Sequence, residues 1–168
     1  MYSLLHRANA VLTYFGTVCV VLALLTTSTD FLHKAEPKIS LSLADVKRLY
    51  SYQGNRDQAV ITFNLEADMR SCFSWNTKQL FVFVRAEYFA DDGKVHQVSL
   101  WDTIIQTKSK AKITLRKHKT KYAFIDHLND LRNREFNLTL VWDVMPRVGR
   151  NVIHSHAVPV GRLPAAYI

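Results

Sequence analysis

Asn137, Leu138 and Thr139 form an Asn-x-Thr triplet, the acceptor pattern for N-linked glycosylation, and no second such triplet occurs in the chain. The pattern has meaning only in the secretory lumen, where the glycan must also face solvent. His154 and His156 stand two residues apart, so on a strand their imidazoles share one face, the geometry of a pair of metal ligands. No third ligand is identifiable beside them, and solvent-facing histidines are the ordinary reading. Residues 108–121 (KSKAKITLRKHKTK) carry seven Lys or Arg and one His. A cluster of that kind attracts nucleic acid, anionic lipid or an acidic protein. Its charges alternate with Ile113 and Leu115, as on the solvated face of a strand whose edge is protected by charge.

Other reactive residue types fall in no catalytic arrangement. Ser, His and Asp are plentiful, but there is no nucleophile elbow, no His-Glu-x-x-His and no phosphate-cradling loop. With five glycines in 168 residues, glycine-rich active-site loops are largely ruled out. Asp91 and Asp92, followed by Gly93, read as a turn and not as a pair of catalytic carboxylates. Cys19 lies in an apolar stretch and Cys72 is alone in the remainder, so no intramolecular disulfide is expected and the domain must be held by its core. The residues support no catalytic, cofactor or metal site.

The elements that would position these groups begin with a membrane segment. Residues 10–25 (AVLTYFGTVCVVLALL) contain no charged side chain. Counted from Ala8 to Thr27, the helix would reach about 30 Å, the thickness of a bilayer's hydrocarbon core. Arg7, with His6 and the amino terminus, precedes the segment and Asp30 is the first charge after it, a bias toward a cytoplasmic N-terminus. Two readings fit. Thr26 and Ser28 have the small-residue spacing of a signal-peptide cleavage site, whereas the apolar run is longer than the usual h-region and lacks an Ala-x-Ala ending, as expected of an uncleaved anchor. The organisation is then a cytoplasmic tail over residues 1–9, a transmembrane signal anchor over 10–28 and a lumenal β-rich domain over 29–168. The net charge of +8 raises nucleic acid as a partner, but a lumenal domain meets none.

Period-two alternation dominates the rest. Residues 31–55 read as a polar connector stopped by Pro37, with a first short strand at Ile39, Leu41 and Leu43 and a turn at Gly54 and Asn55. Residues 59–67 (AVITFNLEA), 80–89 (LFVFVRAEYF), 95–105, 111–115, 136–144 (FNLTLVWDV) and 151–160 are predicted strands. A basic turn is expected at 117–121. Short helix or irregular loop is expected at 74–78 and 125–134. In the strand 136–144, Asn137, Thr139 and Val141 should face away from the core and Phe136, Leu138, Leu140 and Trp142 toward it. Strands recurring with turn signals and without long alternating helices predict a mainly β chain, one N-terminal transmembrane helix followed by an antiparallel β-sandwich-like lumenal domain.

Several blocks in order carry a resemblance: residues 1–9 leading into the anchor, 76–88 (NTKQLFVFVRAEY), 97–102 (QVSLWD), 122–126 with Leu131 and Arg132, and 136–149 (FNLTLVWDVMPRVG). Together they resemble, end to end, the subunit 3 family of the eukaryotic signal peptidase complex, its microsomal accessory subunit. The resemblance implies a single-pass type II protein of the endoplasmic reticulum membrane, with an uncleaved anchor and the family's glycosylation site at Asn137. It implies that the lumenal domain cradles a separate catalytic subunit, which supplies the serine protease chemistry that removes signal peptides from nascent secretory chains. No cofactor is implied. Contact residues are sought at Tyr88 and Trp101, in the AEY and LWD blocks, and at Lys110 and Lys112, although Phe81, Phe83, Tyr88 and Trp101 also suit a core. The alternative from another class is a secreted or anchored β-domain that binds lipid headgroups or acidic partners.

Overall fold

The computed structural model describes residues 3–52, 56–90, 93–126 and 131–168. The chain starts as one helix, α1 (Leu4–Asp30), long and apolar enough to cross a membrane. Ser3 caps it, its Oγ accepting from the His6 N–H at 3.3 Å. The hydroxyls of Thr13, Thr17, Thr26 and Thr27 each donate to the carbonyl four residues back, at 2.8–3.0 Å. These bonds leave no hydroxyl of the four unsatisfied in hydrocarbon, which is why threonines are tolerated in an otherwise apolar helix.

After α1, eight strands follow: β1 (Lys38–Tyr52), β2 (Arg56–Asp68), β3 (Thr77–Phe89), β4 (Val95–Ile105), β5 (Lys112–Lys119), β6 (Phe124–Asp126), β7 (Glu135–Pro146) and β8 (Val152–Arg162). Among the described residues they form two antiparallel sheets. One has the order β1-β2-β5, with β6 pairing the first part of β2; the other has the order β4-β3-β7-β8. The expected β-sandwich with an N-terminal helix is the fold found. Its core lies between the sheets, where Ile61, Phe63 and Leu65 of β2 meet Leu80, Val82 and Val84 of β3 and Leu138 and Leu140 of β7. Rings cross the interface: Phe63 packs edge-on to Trp101 at 6.3 Å, and Phe124 lies 5.5 Å from Tyr88 and 5.7 Å from Phe136.

Three expectations are corrected. The connector 31–55 is in large part strand, because β1 runs to Tyr52. Register shifts at Leu43/Asp45 and Val46/Arg48 place Leu41, Leu43, Val46 and Leu49 opposite Leu65, Phe63, Ile61 and Ala59, so the apolar spacing becomes two, three and three, and period two is lost. The basic turn at 117–121 begins later, since β5 continues to Lys119 through a bulge. Lys117 adopts φ +47° and donates its N–H to Asn64 Oδ1 at 2.8 Å, which returns His118 inward against Phe63. Within the segments expected as short helix or irregular loop at 74–78 and 125–134, Thr77 and Lys78 open β3, and Ile125 and Asp126 belong to β6. The turn signals at Gly54 and Asn55 and at Asp91 and Asp92, with residues 127–130, lie outside the described residues.

Strand direction sorts the loops. The starts of β1, β3, β5 and β8 and the ends of β2, β4 and β7 gather at one pole of the sandwich, where α1 also ends. The opposite pole carries the end of β3 and the start of β7. The C-terminal tail closes the sandwich there, with Ile168 exchanging both backbone hydrogen bonds with Leu49 of β1 at 2.8 and 3.1 Å.

Candidate functional site

The most built polar site in the described residues is the joint between α1 and the sandwich. Ala23, Thr26, Thr27 and Asp30 of α1 lie at i, i+3, i+4 and i+7 and are half-buried where the neighbouring positions are exposed. Asp30 is the last helical residue, at the negative end of the helix dipole, where a carboxylate is unfavourable unless donors meet it. They do: Asn76 Nδ2 donates to Asp30 Oδ2 at 2.6 Å and Ser74 Oγ to Asp30 Oδ1 at 3.4 Å. Asn76 is buried, and it also clasps the β7–β8 turn. Its Nδ2 donates to the Val148 carbonyl at 2.8 Å, its Oδ1 accepts from the Val148 N–H at 3.1 Å, and its carbonyl accepts from the Arg147 N–H at 2.7 Å. Gly149 completes the contact. It has φ +120°, and a Cβ there would stand 3.1 Å from Thr27 Oγ1, so the turn reaches the helix only as glycine. One turn on, the His33 ring Nε2 lies 2.7 Å from the Ser71 carbonyl. One buried amide thus ties the helix end to two loops of the sandwich.

The second candidate surface is the outer face of the β4-β3-β7-β8 sheet. Phe81, Phe83, Ile104, Val141 and Ile153 point outward there, with the Phe81 and Phe83 rings 5.4 Å apart. On the same face Arg85 Nε, Thr139 Oγ1 and Asp143 Oδ1 are buried without a hydrogen-bond partner among the described residues. Unpaired buried polar atoms are costly, at about 1–3 kcal/mol each. Two of these side chains are held by other atoms, Arg85 Nη2 on Glu87 Oε1 at 2.6 Å and Asp143 Oδ2 accepting from Asn151 Nδ2 at 3.2 Å.

The structure distributes the sequence-derived sites as follows. Arg7 is exposed near the N-terminal end of α1. Asn137 is exposed on the outer face of β7, and Thr139 and Val141 share that face while Phe136, Leu138, Leu140 and Trp142 face the core. Tyr88 and Trp101 are core residues, 2% and 8% exposed, so neither presents a ring to a partner; Tyr88 donates its hydroxyl to Asp126 Oδ1 at 2.8 Å. Their strands place them on the inner face, whereas Phe81 and Phe83, one register away, are outward. Lys110 and Lys112 are exposed at the pole where α1 ends.

Two histidine side chains, His118 and His154, serve packing. His118 is edge-on to Phe63 and Trp101, and His154 stacks on Trp142 at 5.6 Å. Among the described residues, no group of three His, Cys, Asp or Glu side chains could hold a metal ion. Burial pushes the Cys72 thiol up, the opposite of an activated nucleophile. At the helix pole, Arg70 grips Asp68 with Nη2 to Oδ2 at 2.6 Å and Nε to Oδ1 at 2.9 Å, which with the Arg70 N–H holds that carboxyl down at about 2. Asn76 and Gly149 were not singled out from sequence as site residues. The available signal is a polar Asn directly before a strong strand and a Gly three residues after the end of another, each in the blocks that carry the resemblance.

A β-sandwich hydrogen-bonded to the end of one apolar N-terminal helix, long enough to cross a membrane, defines the class. The chain belongs to the signal peptidase subunit family, whose pattern it matches over residues 1–165. It is 36% identical over 155 residues, 89% of this chain and 86% of the relative, to signal peptidase complex subunit 3 of Gallus gallus. The Homo sapiens protein of the same name is 35% identical over the same shares. That of Dictyostelium discoideum is 32% identical over 168 residues, all of this chain and 98% of the relative. The matched residues 1–165 take in α1 and all eight strands of this chain.

Proposed function

We propose that this chain is a non-catalytic accessory subunit of the signal peptidase complex of the endoplasmic reticulum membrane. Residues 1–9 are cytoplasmic, α1 spans the bilayer, and the sandwich is lumenal. It supports a separate, serine-type catalytic subunit as that subunit removes signal peptides from nascent secretory proteins. The observation that carries the reading is the joint at Asn76. A hydrogen-bonded, glycine-fitted contact between membrane helix and sandwich fixes the domain's height and orientation, and positioning is what a non-catalytic subunit can contribute to a neighbour's reaction.

The catalytic subunit seats on the outer face of the β4-β3-β7-β8 sheet, where the exposed Ile104 and Ile153 and the half-buried Phe81 and Phe83 supply apolar area. Asn137 lies at the end of that face far from the membrane, so a glycan there leaves the membrane-near half free. A mild-detergent pull-down of the tagged chain from microsomes tests this. The expected result is recovery of the catalytic subunit with the intact, glycosylated chain, lost on Ile153→Asp combined with Phe81→Ser. Recovery of a cleaved, soluble chain without that partner would sink the accessory reading. Undiminished recovery with the double variant would sink only the choice of face.

A further inference from the structure

We infer that the pole of the sandwich around Trp75 rests in the phospholipid headgroup layer of the membrane that α1 spans, so that the domain is seated on the bilayer and not held above it. The inference rests on α1 being an uncleaved anchor, and depth along the helix carries it. If Ala8 to Thr27 fills the hydrocarbon core, Asp30 is about 5 Å beyond it, inside a headgroup layer about 5–7 Å deep, and residues 31–33, about 6–9 Å beyond, stand at its outer margin. Asn76 is bonded to Asp30 and the Ser71 carbonyl to His33, so the loop between them lies at this same depth. That loop presents Trp75, whose side chain is 67% exposed, and the chain leaving α1 presents Phe31 and Leu32, 87% and 84% exposed.

Large apolar side chains so exposed are unfavourable in water, and a tryptophan at this level matches the amphipathic aromatic belt of membrane proteins. The charge is complementary too. Arg147 and Arg150 flank the Gly149 contact and are exposed, and at the same pole Lys38 and Lys108 line a cleft with Glu36 and the mutually paired Arg70 and Asp68, leaving cations in excess. Cations within a few ångströms of lipid phosphates are attracted, whereas at a standing distance beyond the Debye length they would be screened. This also gives a place to the first part of the basic segment 108–121: its start lies at the membrane pole because β4 ends and β5 begins there. The contact is a seat for an anchored subunit. A second seat, the catalytic subunit's own membrane helix over Trp75, is the competing outcome.

The test places the photocrosslinker benzoylphenylalanine at position 75 of the full chain, assembled in microsomes, with position 89 as the control. Phe89 is equally exposed but sits at the far end of β3, about 40 Å of strand away. The expected result is a phospholipid adduct at position 75 that is lost at position 89, in chains that resist alkaline extraction. A protein adduct at 75, or no adduct there while the chain still resists alkali, overturns the seat and leaves the anchor standing. Release of the chain by alkali overturns both.

Discussion

Asn76 Nδ2 lies 2.6 Å from Asp30 Oδ2, joining the last residue of the long apolar helix to a loop 46 residues later. The amide is the sole kind of side chain that could at once donate to a carboxylate and exchange bonds with both backbone groups of Val148. Asn76→Ala should therefore cost about 2–4 kcal/mol, read from unfolding of the full chain in detergent, since more than one buried partner is orphaned. Asn76→Asp should cost at least as much by setting two carboxylates together, and Asp30→Asn added to it should restore part of the loss. An additive double variant would show that the two residues are not coupled. Gly149→Ala should destabilise by about 1–3 kcal/mol, because φ +120° is foreign to L side chains.

The tail is fastened by a second buried carboxylate. Asp57 Oδ1 accepts the Tyr167 hydroxyl at 2.9 Å and Oδ2 accepts the Leu131 N–H at 3.2 Å. Asp57→Ala should lower stability by about 2–3 kcal/mol and Tyr167→Phe by about 1 kcal/mol, the smaller cost because the ring is partly exposed. Thermal melts check the order; equal effects would contradict it.

Asp68 gives a pH signature. Its carboxyl is held at about 2 in the folded chain, below the ordinary 3.8, first by the Arg70 side chain and next by the Arg70 N–H. A depressed folded value means that the contribution is present above about 3.8 and is lost as pH falls toward 2. Carboxyl NMR should place the Asp68 midpoint near 2, and Arg70→Gln should raise it toward 3.8. A midpoint unchanged by that substitution would remove Arg70 as the cause. The pair is exposed, so the effect on global stability should be small.

Thr139 is 1% exposed although Asn137, two residues before it, is exposed. The acceptor hydroxyl is therefore hidden once β7 is paired on both sides, and transfer of a glycan must precede closure of the sheet. Chain made in microsomes should show a mobility shift that endoglycosidase and Asn137→Gln both abolish. Folded, unglycosylated chain offered the same membranes should gain no glycan.

Much of the fold was legible because its signals are local. An uncharged run of helical length, and alternation in 59–67, 80–89 and 136–144, state which side of each backbone is apolar before any partner strand is known. The candidate site was less legible. Alternation alone puts Phe81 and Phe83 on one face of β3 and Tyr88 on the other, but it does not say which face is covered, and aromatic richness pointed to both. Burial settles it: Tyr88 packs on Phe124, and the two phenylalanines lie outside.

The sequence by itself determined one long apolar N-terminal helix, a mainly β domain after it, the outward direction of Asn137 and the family blocks, since each depends on residues close in the chain. Only the tertiary structure decided the length of β1, the inward turn of His118 after Lys117, the role of Asn76 and the placing of exposed Trp75 beside the end of α1. Bulges are set by the strand opposite, and a buried amide is specified by partners 46 and 72 residues away. No local pattern encodes such distances; they exist once the sheets have packed and the helix end has been brought against their loops.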